Sequence, residues 1–216
     1  MSGAAELPVA ARVLAAQELV DAFGHVSARG EHGSLAITPP RPLGTIADGE
    51  PPLRVPLGVE ALPADVPREA WIHLGIYARR ADVGGICRAQ PRNVAAAAGA
   101  GLRLLALHGQ GAFVGASVPV HDRAALVRDR ASGVAVAATL GDGDAVVLRG
   151  NGAVTVGRSP GEAVARMVVL EASAAINLAA AAAGSRVELR HDEYAAWRDV
   201  APEILQRLWD HLRRDV

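Results

Sequence analysis

The sequence predicts one α/β domain, and three observations carry that prediction. Half of the 216 residues are apolar, enough to fill the core of one unit without dividing the chain into two small ones. Segments with helical spacing alternate along the chain with short apolar runs of strand length. Ala145-Val-Val-Leu148, held between Gly141-Asp-Gly-Asp and Arg149-Gly-Asn-Gly152, reads as a buried strand bracketed by turn chemistry.

The elements follow in order. Residues Pro8 to Phe23 carry Val13, Ala16, Val20 and Phe23 at helical spacing, which predicts an amphipathic helix broken by Gly24. His25-Val-Ser-Ala-Arg29 and Leu35-Ala-Ile-Thr38, separated by the polar turn Gly30 to Gly33, predict a hairpin. From Pro39 to Pro67 the chain holds eight of its 13 prolines, so this stretch is a surface connection with short edge strands near Leu53 to Val59. A helix from Glu69 to Arg80, a strand through Val83 to Arg88 and a helix over Arg92 to Ala98 with Pro91 at its first turn come next. Leu102 to Leu107 is expected as a strand, and His121-Asp122 is expected to precede a helix to Leu140 with Leu126, Val127, Val134 and Ala137 facing inward. Ala153 to Val156 is a further strand. Ser159-Pro-Gly-Glu162 is a capping box opening a helix to Ala183, and residues 185–216 form a C-terminal tail, amphipathic from Tyr194 to Leu212.

Composition excludes several functions. The formal charge is −1 and the basic residues are scattered, so the chain lacks the footprint for nucleic acid or an anionic membrane. One cysteine cannot form an intrachain disulfide, the start lacks the regions of a signal peptide, and no uninterrupted apolar run reaches spanning length; a cytoplasmic chain is expected. All 22 basic residues are arginine, which excludes a Schiff base on a protein lysine.

The stretch Glu69 to Pro91 organises the candidate chemistry. Glu69, His73 and Tyr77 are spaced to share one helix face, with the carboxylate at the positive end of the macrodipole. Arg88 and Gln90 share a face of the following strand. Gly24-His-Val-Ser27 is either a cradle for an anion, built from amides, a hydroxyl and an imidazole, or a helix end and a strand start. His73 reads as a core histidine, and Glu69 as a helix cap or a general acid/base. Arg149-Gly-Asn-Gly152 follows a strand, where α/β sites lie. No histidine or cysteine pair has metal-ligand spacing, so no metal and no cofactor are expected.

Taken together, GHVSAR (24–29), ITP (37–39), the Glu69 to Val83 segment with its IH and IY pairs, LRGNG with TVG (148–157) and the Glu162 to Ala174 helix resemble the class II aldolase/adducin-like family from about Ala10 to Ala183. The resemblance implies a three-layer α/β/α domain with a central mixed sheet, a homo-oligomer, commonly a tetramer, and active sites between subunits. In the family's aldolases three histidines hold a zinc ion and a glutamate moves the proton. Here the histidine positions fall on Arg88, Gln90 and Asn151, the phosphate-holding serines on Pro67 and Arg68, and the asparagine of the glycine turn on His25; the glutamate survives as Glu69.

Loss by decay leaves arbitrary residues, whereas Arg88, Gln90 and Asn151 all donate hydrogen bonds into one space. The expectation is therefore a metal-independent carbon–carbon lyase, a decarboxylase of a small carboxylated oxo or aromatic acid, with a metal-free aldolase or dehydratase and a non-catalytic scaffold as alternatives. Arg88 is expected to bind the carboxylate or enolate, with Gln90 and Asn151 completing the donors. Glu69 is to transfer the proton, His25 and Ser27 to hold the remote end of the substrate, and His121, Tyr194 and Trp197 to close a neighbouring subunit's pocket.

Overall fold

The computed structural model describes residues 3–216. Its centre is a seven-stranded sheet in the order β3-β2-β1-β4-β7-β6-β5, with β1 at His25–Arg29, β2 at Ser34–Ile37, β3 at Leu53–Pro56, β4 at Gly85–Ala89, β5 at Val120–His121, β6 at Ala145–Leu148 and β7 at Ala153–Gly157. All neighbours are antiparallel except β5 and β6, so the sheet is mixed. Side chains alternate between its faces: in β4, Ile86 enters one apolar cluster while Cys87 and Ala89 enter the other. Helices α1 (Leu7–Ala16), α3 (Arg92–Gly99), α5 (Pro160–Ala182) and α6 (His191–Leu212) cover one face, and α2 (Ala70–Arg79) and α4 (Arg130–Leu140) the other. This is the three-layer α/β/α arrangement.

Helix α5 is the spine of the first layer. Ser159 Oγ accepts from the Glu162 amide and Pro160 occupies the first turn, as its sequence requires. Glu162, however, turns to Arg158 and Arg166 instead of closing the capping box. Further along, Glu171 accepts from the amides of Asn93 and Val94 and so fixes the start of α3. Helix α5 has the length and apolarity of a membrane span, but its inner side is core, with Val164, Met167 and Leu170 fully buried.

Four expectations are corrected. Helix α1 ends at Ala16, because Glu18 takes a left-handed conformation (φ 54°) and Leu19 turns its amide back to Leu14; Phe23 consequently lies outside the helix and is 69% exposed. Leu102 to Leu107 is not a strand: the Asn177 side chain takes the amide and the carbonyl of Leu105, leaving one isolated bridge to Ser117. Helix α4 starts at Arg130, where Asp129 accepts from the Ser132 amide at 2.7 Å; residues 123–128 form an irregular crossing instead. Leu126 and Val134 are exposed, while Val127 and Ala137 are buried.

Helices α2 and α4 approach each other through glycine. A Cβ on Gly133 would sit 2.2 Å from the Trp71 carbonyl oxygen, and one on Gly75 would sit 2.6 Å from that of Gly133. This contact holds the start of α2, and with it Glu69, against the sheet. Gly133→Ala should therefore destabilise the fold by about 1–3 kcal/mol through overpacking. Val134→Ala, on the exposed side, should stay within about 0.5 kcal/mol, both read as shifts in the urea midpoint.

Candidate active site

The site lies where β1 and β4 run side by side. His25 and Arg88 are direct cross-strand partners, so their side chains leave the same face, toward α2. Glu69 is the N-cap residue of α2 and Asn151 sits in the turn from β6 to β7. Gly152 makes that turn possible: its φ is 81°, and a Cβ there would meet the Ala89 carbonyl oxygen at 2.1 Å. Asn151 is thereby pressed against the end of β4.

Arg88 is 2% exposed. Its Nη2 lies 3.0 Å from Glu69 Oε2 and donates to the backbone and side-chain oxygens of Asn151. Glu69 Oε1 accepts from Asn151 Nδ2 at 2.7 Å and from the Val127 amide at 3.1 Å. Burial disfavours the guanidinium cation and the Glu69 carboxylate opposes that effect, so each charge is the condition for the other. Arg88 Nε is buried with no partner, and Nη1 makes no hydrogen bond to the described residues. Nη1 of a fixed cation thus remains for a ligand.

Behind Arg88 a second polar array runs into the core. His25 Nδ1 is 2.7 Å from His73 Nε2, His73 Nδ1 is 2.6 Å from Ser27 Oγ, and Ser27 Oγ is 3.0 Å from the Tyr77 hydroxyl. Arg29 covers the Tyr77 ring at 4.6 Å. Burial, His73 and the Arg88 charge hold His25 well below its ordinary pKa; burial and Arg88 take His73 to about 3. Burial drives the Tyr77 hydroxyl far above its usual range. The array is neutral at pH 7.

A cavity of about 560 Å³ opens over these groups, a size suited to one small ligand. His25, Glu69, Arg88 and Asn151 form its floor, with Gln90 exposed on the wall just past the end of β4. Phe23, Pro40, Pro67 and Leu126 supply an apolar side, and Arg41, Arg68 and Arg128 stand on the wall and rim. Glu69 is the one carboxylate among these residues, against four guanidinium groups; Arg88 pairs with Glu69 and Arg41 with Glu50, so Arg68 and Arg128 leave the cavity with a net positive charge that favours anions.

A divalent metal does not fit this floor. The positions that the resemblance assigns to metal ligands hold a guanidinium and two amides. Asn151 Oδ1 and the Glu69 carboxylate are already committed to the guanidinium. Among the described residues no three His, Cys, Asp or Glu side chains converge on a metal position.

The structure brings five of the expected residues together: Glu69, Arg88, Gln90, His25 and Asn151. Ser27 is a correction: fully buried, it faces His73 and Tyr77 instead of the cavity. His121 is on the edge strand β5, bonded to Thr139 outside this cavity. Tyr194 and Trp197 are on α6, across the sheet, where Trp197 packs on Phe113. Within one chain neither reaches the site. Sequence reasoning missed Arg41, Arg128, Phe23 and Leu126. Asp129-Arg-Ala-Ser132 is the signal that could have shortened the helix and freed Leu126 and Arg128 for the cavity.

Residues 5–178 match the class II aldolase and adducin N-terminal domain. The chain is 32% identical over 219 residues to 3,4-dihydroxyphthalate decarboxylase of Terrabacter sp. (strain DBF63), covering 94% of this chain and 92% of that protein. It is 28% identical over 230 residues to the protein of the same name from Arthrobacter keyseri, covering 97% and 92%. The solved structure of L-fuculose 1-phosphate aldolase from Glaciozyma antarctica PI12 superposes with a TM-score of 0.80 at 17% identity, over 96% of this chain and 86% of that one; this likeness concerns the fold.

The buried neutral histidines make stability depend on pH. In the unfolded chain each binds a proton near pH 6.5, while in the fold both stay neutral, so stability is lost as pH falls below that value. Between pH 7 and 5 the loss should be about 2 kcal/mol per histidine. Urea titrations of His73→Gln should show about half the histidine-dependent slope.

Proposed function

The chain belongs to the class II aldolase and adducin family, and from that premise we propose that it is a carbon–carbon lyase, a metal-independent decarboxylase of a hydroxylated aromatic dicarboxylic acid of the 3,4-dihydroxyphthalate type. The observation that carries the proposal is the cationic floor: Arg88, paired with Glu69, keeps Nη1 unpartnered at the bottom of a cavity whose rim adds Arg68 and Arg128 without carboxylate partners. Similarity to decarboxylases along nearly the whole chain supports the same reaction.

The chemistry follows from the substrate class. A ring hydroxyl ortho or para to a carboxylate, ionised to phenolate in a cationic cavity, can pass its electrons into the ring. Protonation of the carbon bearing the carboxylate then gives a neutral dienone. The bond to the carboxylate breaks, its electron pair restores the aromatic ring and recharges the oxygen, and carbon dioxide leaves. One proton is consumed overall. The ring is its own electron sink, so the step needs an oriented carboxylate and a stabilised oxygen more than a Lewis acid.

Arg88 holds a carboxylate through Nη1, with Gln90 beside it, while Arg68 and Arg128, which form no ion pair with the described residues, hold the second acidic group. Phe23, Pro40 and Leu126 lie against the ring. Glu69, on the cavity floor beside Arg88, takes up a proton from solvent and passes it to the ring carbon. Asn151 keeps Glu69 and Arg88 in register. Because α6 lies across the sheet, Tyr194 and Trp197, and on the opposite edge His121, act only on another copy's cavity, in a cytoplasmic homo-oligomer.

A panel of oxo, hydroxyaromatic and sugar-phosphate substrates tests the proposal. Carbon dioxide should be released from hydroxylated phthalates, and Glu69→Gln, which leaves Arg88 without its counter-charge and is therefore assayed where circular dichroism shows it folded, should lower kcat by about 10²- to 10⁴-fold. Aldehyde release from a sugar phosphate would contradict the proposal, as would full activity of Glu69→Gln.

A further inference from the structure

We infer that His25 is the oxyanion-holding residue of this site: a neutral imidazole that presents Nε2–H to the oxygen on which charge builds as the carboxylate leaves, its tautomer set by Tyr77 acting through Ser27 and His73. The identity of that oxygen, a ring hydroxyl, rests on the decarboxylase reading; the tautomer does not.

The tautomer follows from counting protons along the buried array. Tyr77 is 2% exposed, and among the described residues its hydroxyl has one partner, Ser27 Oγ. A phenol carries one proton, and here that proton has one acceptor, so Tyr77 donates to Ser27. The Ser27 proton then goes to His73 Nδ1, 2.6 Å away, which leaves the His73 proton on Nε2. That N–H points at His25 Nδ1, at 2.7 Å, and His25 must accept there. Its own proton therefore resides on Nε2. This atom is buried without a protein partner, on a residue that is 4% exposed and lines the cavity. The opposite polarity would satisfy His25 no better and would strand the Tyr77 proton in the core. Every donor in the array is used except Nε2–H of His25, the one member of the array that lines the cavity.

The surroundings keep this donor neutral. Burial and the Arg88 cation both disfavour an imidazolium at His25, so the cavity is offered a fixed charge from Arg88 and an uncharged N–H from its cross-strand partner. A donor oriented before the reaction needs no rearrangement when electrons return to the oxygen, and a neutral imidazole does not protonate the phenolate that the reaction requires. His25 touches the substrate; His73, Ser27 and Tyr77 are positioning residues.

Imidazole ¹⁵N chemical shifts of histidine-labelled wild-type protein at pH 7 test the tautomer, with assignments from His25→Asn and His73→Gln. His25 and His73 should both carry the proton on Nε2, with Nδ1 bare; a bare Nε2 or a doubly protonated ring at His25 overturns the inference. In turnover, His25→Phe should lower kcat by about 10²- to 10³-fold, and His25→Asn, which keeps an N–H donor, should recover part of the loss. Tyr77→Phe and Ser27→Ala, which leave the cavity untouched, should lower kcat by about 10-fold with KM within about two-fold. Unchanged kcat in Tyr77→Phe overturns control by the buried array. Wild-type protein that releases no carbon dioxide overturns the oxyanion role together with the decarboxylase reading. The ¹⁵N spectrum distinguishes that failure from an error in the tautomer.

Discussion

A guanidinium buried to 2% exposure cannot stand alone, and the pairing of Arg88 with Glu69 sets the arrangement of the whole site. The pair joins the end of β4 to the start of α2, two elements adjacent in sequence that the sheet and the α2–α4 contact press together. Asn151 closes the triangle from the β6–β7 turn, and the Val127 amide closes it from the crossing before α4. Three separate segments thus converge on the carboxylate of a fourth. Removing the arginine would leave that carboxylate surrounded by donors with no cation, and removing the carboxylate would leave an unpaired buried cation.

Much of this was legible in the sequence because the residues concerned sit in regular elements. Strand alternation put Arg88 and Gln90 on one side, and the four-residue spacing of Glu69, His73 and Tyr77 put one helix face toward β1 and β4. Reading Gly24-His-Val-Ser27 as one cradle misled at Ser27. It shares the face of His25, but α2 covers it, and a period of two cannot say how far along a strand the covering helix reaches. Phe23 and Leu126 misled for a related reason: apolar residues at helical spacing were read as core, whereas both lie outside helices. The left-handed Glu18 and the Asp129 cap end the helical pattern before it reaches them. Both residues instead form the cavity's apolar side. Leu102 to Leu107 has the composition of a strand, but Asn177, more than 70 residues away, supplies the hydrogen bonds that a neighbouring strand would have made.

The site divides its work by charge state. In the proposed reaction Arg88 contributes a permanent cation and Glu69 an exchangeable proton, while the histidines behind them stay neutral because the dry interior and that cation disfavour a second positive charge. On the proposed reading such a floor takes over the electrostatic part of a metal ion's task, holding and stabilising anionic oxygen, without offering the open coordination positions of a metal. A substrate with its own electron sink is the one such a floor can serve. The proposal thus ties the exchange of ligands at Arg88, Gln90 and Asn151 to the kind of acid the cavity would accept.

The claim that the arginine replaces the cation is tested most directly by turnover of 3,4-dihydroxyphthalate after exhaustive metal removal, with the metal content of the same sample measured. Carbon dioxide release at an undiminished rate, with far less than one metal ion per chain and no gain on adding zinc or manganese, is the expected result. Activity that disappears with the chelator and returns with one equivalent of either metal would contradict the account.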